Sequence, residues 1–478
     1  MSSPFNEEKY KRLLEGLEIS EVWLNDVLNG VETFRLDAEY HAKEYERIEN
    51  FVKNNPERFS KFSNWSVGID CSAFYPGVEP LYGTGDIPLI RVQNVKEEIE
   101  YDNCVTLPIL SSDYDTLKFV NPGDIVITKG GSIGFVGYVT KRAYASRDLM
   151  FINSSQLEER ERVFLYLYLS TDFSFKQLIR SSSQCAQPHL TITLVKNFDI
   201  FLPNESLKDK CLSLYQEYSD KHIKSKHLYS EAEELLLKEL GLKDWQPNNN
   251  PVNIKQLKES FLASGRLDAE YYQSKYDEIE KIIKTHHYDI LDNLCLLINH
   301  GMQPPYIEDG TMRVFSQKWI KDKEIDYSFI DDINEPRTSE DFAQLNPDYV
   351  CRKFDIVHYS VGANIGYCHT YLSDVPMMPG SFITLIRANE DKIDPIYLGV
   401  VLNSIIGRIQ SEKRKSGTAQ PYVYPKDIKE FLIPILPKPI QDTISAKIQE
   451  SFALKAESKR LLEEAKIMVE KEIEKGGE

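Results

Sequence analysis

Four groups of residues have types and spacings that chemistry could use. Gln303-Pro304-Pro305-Tyr306 differs by one residue from the Asp/Asn/Ser-Pro-Pro-Tyr/Phe segment with which amino-methyltransferases hold the amine of a target base. That chemistry needs a Gly-rich turn after the first strand of a doubly wound sheet to bind the methyl donor. No such turn lies in a suitable position, and Gln is long for the first residue's role, so a loop stiffened by two prolines is the better reading. Gly131, Gly134 and Gly137 imitate a phosphate cradle, but Phe135 to Val139 reads as strand where a helix should begin, which predicts a β-hairpin instead. Pro347-Asp348 has no Glu-x-Lys partner with which to hold magnesium. The nine His include one adjacent pair, His286-His287, and the seven cysteines (Cys71, Cys104, Cys185, Cys211, Cys295, Cys351, Cys368) form no CxxC or CxxH cluster, which leaves no zinc pattern and no disulfide framework.

Whatever the chain does must then be carried by its elements. It has 478 residues, 57 Lys plus Arg against 74 Asp plus Glu, and a formal charge of −17. At about 150 residues per domain this predicts two to four domains. With 41% hydrophobic and 11% aromatic residues it can fill packed cores. The first residues are polar, with no apolar stretch behind them, and the longest apolar run, Phe431 to Leu436, is interrupted by Pro434. No membrane partner and a cytoplasmic location are expected. The acidic balance weighs against nucleic acid as a partner, although specific recognition depends on where the basic residues sit.

The chain is written twice. Arg35-Leu36-Asp37-Ala38-Glu39-Tyr40 recurs as Arg266-Leu267-Asp268-Ala269-Glu270-Tyr271, an offset of 231. Asp124-Ile125-Val126 answers Asp355-Ile356-Val357, and Ala186-Gln187-Pro188-His189-Leu190 answers Ala419-Gln420-Pro421-Tyr422-Val423 at an offset of 233. Phe198 and Ile200 answer Phe431 and Ile433 at the same spacing. Each copy opens with a helical stretch, passes through short apolar runs bounded by Gly and Pro, and closes in a long helix. Ile87 to Val95 and Asp124 to Thr128 read as strands, as do Met312 to Phe315 and Phe354 to Tyr359.

The closing segments, about Glu205 to Leu240 and Ile440 to Ile473, are rich in Glu, Lys, Leu and Ala. Cys211, Leu214, Tyr218, Ser225, Leu228, Ala232 and Leu235 in the first, and Ile444, Ile448, Ser451, Lys455, Ser458, Leu462, Ala465 and Val469 in the second, keep a three-four spacing. A stripe with small and polar members suits two long helices packed on each other. Each would span on the order of 50 Å. The Asn/Pro-rich stretch from Trp245 to Pro251 links the copies.

Two divergent domains on a helical ruler are suited to reading two short stretches of one regular ligand, and duplex DNA presents half-sites on one face about every 34 Å. Here the residues carry a family resemblance. The Arg-Leu-Asp-Ala-Glu-Tyr-Tyr block with Tyr276-Asp277-Glu278-Ile279 after it, the Gly123-Asp124-Ile125-Val126 turn, and the Ala-Gln-Pro block leading into Phe-x-Ile and a proline resemble the specificity subunit of type I restriction-modification systems. The resemblance runs through both halves. It implies an α+β chain with two tandem target-recognition domains and two long helices packed as an antiparallel coiled coil, a pseudo-twofold repeat. The expected boundaries are a helical segment at 1–50, recognition domains at 51–203 and 284–437, a central helix, linker and start of the second copy at 204–283, and a closing helix at 438–478. It also implies double-stranded DNA, two methyltransferase subunits and motor-nuclease subunits as partners. S-adenosylmethionine, ATP and magnesium would act on those partners, with no cofactor on this chain and no catalysis by it.

The candidate DNA contacts follow from side-chain type. Arg91, Gln93 and Asn94 after the first strand, with a loose counterpart in Ser316, Gln317 and Lys318, can pair with base edges. Ser182, Gln184 and Gln187 in one copy, and Lys413, Arg414, Lys415, Thr418, Gln420 and Tyr422 in the other, surround the Ala-Gln-Pro block. They are expected in flexible polar loops that track phosphates and reach into a groove. Lys129, Arg142 and Arg180 are further phosphate candidates. Two other readings stay open: a stand-alone adenine methyltransferase using Gln303 to Tyr306, and a non-catalytic scaffold or DNA mimic.

Overall fold

The computed structural model describes residues 10, 12, 22–29, 40–96, 98–182, 189–248, 250, 252–417 and 420–475. The chain divides into two units, Met1–Asp220 with Ser458–Glu478, and Lys221–Glu457. The first copies of both repeated blocks, 35–39 and 186–188, lie outside the described residues.

In the first unit, after a short helix at Leu24–Asn29, the chain forms helix α1 (Lys43–Asn54) and strand β1 (Phe59–Lys61), and then β2 (Gly68–Cys71), β3 (Ile87–Ile90), β4 (Val105–Leu107) and β5 (Phe119–Val120). β6 (Ile125–Thr128), β7 (Val136–Tyr138), β8 (Ala143–Ala145) and β9 (Leu149–Asn153) follow. Helices α2 (Glu159–Leu169) and α3 (Asp172–Ser181), β10 (Asp199–Phe201) and the long α4 (Glu205–Glu239) complete the run. One sheet has the order β2-β9-β6-β7, all antiparallel, and a second has the order β4-β3-β8-β5, in which β3 and β8 run parallel. β6 is buried at every position, as its unbroken apolar run requires. α2 starts at a capping box between Glu158 and Glu161 and buries Val163 to Leu169 against the sheet core.

The second unit repeats this plan. α5 (Ser274–Ile283) precedes β11 (Tyr288–Ile290), β12 (Cys295–His300), β13 (Met312–Phe315) and β14 (Arg337–Thr338). Then come β15 (Ile356–Tyr359), β16 (Cys368–Thr370), β17 (Met377–Pro379) and β18 (Ile383–Ala388). α6 (Pro395–Asn403), α7 (Ile405–Arg414), β19 (Leu432–Pro434) and α8 (Lys438–Glu474) close it. The order β12-β18-β15-β16 matches β2-β9-β6-β7, and the parallel pair β13·β17 matches β3·β8. α6 is capped by Asp394, which accepts hydrogen bonds from the Ile396 and Tyr397 amides, and Pro395 supplies a preset first turn. The predicted α+β internal repeat is the observed architecture.

β6 and β7 pair through Ile127 and Val136, so the Gly131 to Gly137 run is the predicted hairpin and not a phosphate cradle. The turn into β6 places Gly123 at φ +95°, and at the same place in the second copy Phe354 adopts φ +73°. Left-handed backbone costs a residue with a β-carbon about 1–2 kcal/mol; Phe354 offsets this by packing its ring against the second unit's core.

The long helices pair antiparallel within each unit. In the first, Leu207, Cys211 and Tyr218 of α4 share a core with Leu461, Leu462, Ala465, Val469 and Ile473 of α8. In the second, Lys221 reaches Glu457 at 3.2 Å, Lys224 reaches Glu450 at 2.7 Å and Glu231 takes Lys447 at 2.6 Å, so one helix ascends as the other descends. Ser225 and Ser451 are buried and donate to each other's carbonyl oxygens, both at 2.8 Å. Two polar members of the predicted stripe, Ser225 and Ser451, are therefore interior hydrogen-bond partners. Among the described residues no helix is long and apolar enough to cross a membrane.

Candidate nucleic-acid interface

In the first unit the chain leaves β3 into a helical turn, Val92–Asn94. Asn94 is 1% exposed. Its amide oxygen accepts the Arg91 N–H at 3.0 Å and its nitrogen donates to the Asn103 carbonyl at 3.1 Å. That corrects the expectation for Asn94: the side chain fixes the turn and has no edge left for a base, while Gln93 stands exposed at the apex. The Arg91 guanidinium lies 5.9 Å over the Tyr82 ring.

The second unit builds the same turn, Gln317–Trp319, after β13, with the Ser316 hydroxyl accepting from the Lys318 N–H. Because Ile90 pairs with Ala145 and Phe315 with Pro379, Arg91 answers Ser316 and Gln93 answers Lys318, a register the loose sequence match did not give. Lys318 is exposed and ion-paired to Glu335, a buried carboxylate that also takes the Trp319 indole N–H at 2.9 Å. The Gln317 amide oxygen faces inward.

The segments expected to be flexible loops are partly helical. Lys413 and Arg414 form the last turn of α7, because Ser404 caps that helix and Ile406 and Ile409 bury its face. Lys413 is ion-paired to Glu280 and lies 5.2 Å over the Tyr271 ring. Arg414 donates to the Glu430 carbonyl at 3.2 Å. Beyond the helix, Ser416 and Tyr422 exchange backbone hydrogen bonds of 2.9 and 2.8 Å. The Gly362 amide donates to Pro421 O, the Val423 amide donates to Ser360 O, and the Tyr422 hydroxyl meets His300. Lys415 is half-buried and Gln420 exposed; Thr418 lies outside the described residues. From His300 the chain continues through Gly301, bonded to Ile383 O, and Met302, bonded to Pro379 O, while Gly380 bonds to Phe315 O. These links gather Ser316 to Lys318 and Ser416 to Tyr424 at one end of the unit. Burial depresses the His300 imidazole below its ordinary value, so it stays neutral at pH 7.

In the first unit Arg180 ends α3, where its Nη1 meets Glu49 at 2.7 Å and its Nε donates to Tyr40 O at 3.1 Å. Burial acts to raise the Glu49 carboxyl, but hydrogen bonds from Lys53 and Arg180 outweigh it and hold the group below its usual value. Ser182 is buried and donates to Ile179 O at 2.7 Å. Arg180, Ser182 and Lys413 therefore tie the fold together, a second correction to the loop reading. Gln184 and Gln187 lie outside the described residues. The Lys129 backbone joins Asp148 O and the Leu190 amide, next to a Gly130–His189 bridge that matches Val361–Tyr422. The Ser146 amide donates to Ile90 O, which brings Lys129 and the Gln93 turn to one end. Arg142 stands apart, at the start of β8, 4.0 Å over Phe119.

Sequence reasoning missed Arg147, His189, His300 and Tyr424, which share these ends. The signal that could have found three of them is proximity in sequence: His189 and Tyr424 adjoin the two Ala-Gln-Pro blocks, and His300 precedes the Gln-Pro-Pro-Tyr loop. Each end presents amide, basic and aromatic side chains, which suits hydrogen bonding to base edges and phosphates. Among the described residues no group of three His, Cys, Asp or Glu is placed to hold a metal ion.

Two α+β domains of one plan, each displaying a polar turn with its own side chains at an equivalent position, define a tandem α+β repeat protein. Residues 75–227 match the family model described as the type I restriction modification DNA specificity domain. The chain matches that model within its first copy. It is also similar to the solved type I restriction-modification S subunit from M. genitalium, at 12% identity over 87% of this chain and 95% of that one, with a TM-score of 0.41. For the HsdS subunit from Thermoanaerobacter tengcongensis the values are 15%, 87%, 95% and 0.26. A chain from a study of type I restriction-modification complex assembly gives 16%, 87%, 97% and 0.28. No curated protein matches the chain in sequence.

Proposed function

We propose that this chain is the DNA sequence-specificity subunit of a type I restriction-modification complex, each recognition domain reading one half of an asymmetric bipartite site. The observation that carries the reading is the equivalence of Gln93 and Lys318. One scaffold presents an amide in one copy and an ammonium in the other at the same exposed apex, so the two halves would select different bases. The paired helices, 35 and 37 residues long, would set the spacer and dock two methyltransferase subunits. Motor-nuclease subunits would complete the restriction enzyme. S-adenosylmethionine, ATP and magnesium chemistry would belong to those partners, and this chain would bind none of these groups and catalyse no step.

The test is methylation profiling of DNA from cells carrying the chain with its methyltransferase partner. A bipartite methylated motif that disappears when the chain is removed is expected, and an unaltered methylation pattern would overturn the reading. Gln93→Ala should change base preference at one half-site only.

A further inference from the structure

The first described residue of one repeated block, Tyr40, and its counterpart Tyr271 meet the same kind of partner in both units. In the first, Arg180 lies 4.7 Å over the Tyr40 ring and binds Glu49. In the second, Lys413 lies 5.2 Å over the Tyr271 ring and binds Glu280. Tyr40 and Tyr271, and Glu49 and Glu280, are 231 apart; Arg180 and Lys413 are 233 apart. These are the offsets of the repeat itself, so each cation, ring and carboxylate holds one place in the fold.

The neighbouring ion pairs have not kept their polarity. Lys176 of α3 reaches Glu44 at 3.3 Å, whereas Lys275, which stands where Glu44 does, reaches Glu412 of α7 at 2.9 Å. The helices keep an attraction, but with the opposite sign at the Glu44 place and a partner one turn further along, since Lys176 answers Ile409 and not Glu412, while the cation over the tyrosine does not move. Arg266 adds a bidentate bond to Asp268, 2.8 and 2.6 Å, and lies 4.5 Å over Tyr271.

The cation is the last-turn residue of the helix that delivers the Ala-Gln-Pro block. In the second unit the far side of that segment is pinned by the bonds from the Tyr422 amide to Ser416 O and from the Gly362 amide to Pro421 O. A loop held at both ends can present a side chain to a base edge with little entropy left to lose.

We infer that Arg180 and Lys413 are positioning residues: each clamps the tyrosine of its Arg-Leu-Asp-Ala-Glu-Tyr block to the helix before the recognition segment, and so sets which bases that segment can read. The inference rests on the DNA-reading function proposed above. The clamp's own effect does not require DNA, so the two can fail separately.

The experiment uses the full chain assembled with its methyltransferase partner, and duplex DNA randomised at both half-sites. Lys413→Met should lose discrimination at one half-site by about tenfold, the scale of a single base-pair preference, and Arg180→Met should lose it at the other. Lys413→Arg, which installs the cation of the first copy, should keep it. The half-site left untouched by each variant reports that the chain is folded. In parallel, amide exchange of Ser416, Tyr422 and Val423 without DNA should speed up in Lys413→Met and not in Lys413→Arg. Unchanged exchange and unchanged preference in Lys413→Met would overturn the clamp, as would either variant flattening both half-sites. If exchange speeds up but the unaltered chain selects no sequence, the clamp stands and the specificity function falls.

Discussion

The residues that could be read from sequence alone were those whose role is local. The prolines at 304 and 305 and the glycines of the first hairpin stand as their types predicted, because turn chemistry depends on near neighbours. Arg180 and Lys413 were misjudged because their carboxylate partners lie 131 and 133 positions away, and nothing in a basic residue announces a distant Glu. The turn before β6 offers a direct test at this scale. Gly123→Ala would force a β-carbon into φ +95° and to 2.7 Å from an Arg162 nitrogen. It should cost about 1–2 kcal/mol, read as a lower denaturant midpoint at unchanged slope. Two histidines give a second test. Burial pushes His358 down to about 3 and His369 down to about 4. Below pH 6.5 the unfolded chain takes up protons at these positions that the native state refuses, so stability present above that pH is lost as pH falls toward 4. The slope is about 1.4 kcal/mol per pH unit for each histidine, and thermal melts across that range should follow it.

At the scale of elements, the helical stripes were legible because a three-four repeat sums many residues. Cys211, Ser225, Ala232, Ile444, Ser458, Ala465 and Val469 are all buried. The reason for serine in the stripe was not legible, since the reciprocal bond needs both helices and their register. Each hydroxyl donates to the other residue's backbone carbonyl, which an alanine keeps, so either bond can be lost while the other stays. Ser225→Ala and Ser451→Ala should each destabilise by about 1 kcal/mol, with the double variant costing close to their sum. Denaturant unfolding of the three variants would supply that cycle. Strand registers were equally hidden, and only the pairings of β3 and β13 revealed that Gln93 corresponds to Lys318.

For the molecule as a whole, duplication was the most legible feature, because a repeat supplies its own alignment. The distribution of charge was less so: the long helices hold little of the acidic excess, since each carries nearly as many Lys and Arg as Asp and Glu, and the densest excess lies in residues 1–50. Under the proposed function, removing seven residues from each long helix in register would shorten it by about 10 Å, the rise of about three base pairs. Methylation profiling should then report a shorter spacer between unchanged half-sites. One further consequence comes from the small pairs β1·β10 and β11·β19. Phe59 lies against Phe201, and Tyr288 against Pro434, so the chain enters and leaves each domain through a single narrow neck. A module whose two ends meet can be exchanged by recombination at two seams without disturbing the scaffold that carries it. Under the proposed function, new combinations of half-site readers would arise by shuffling whole cassettes, with no need to wait for point mutations.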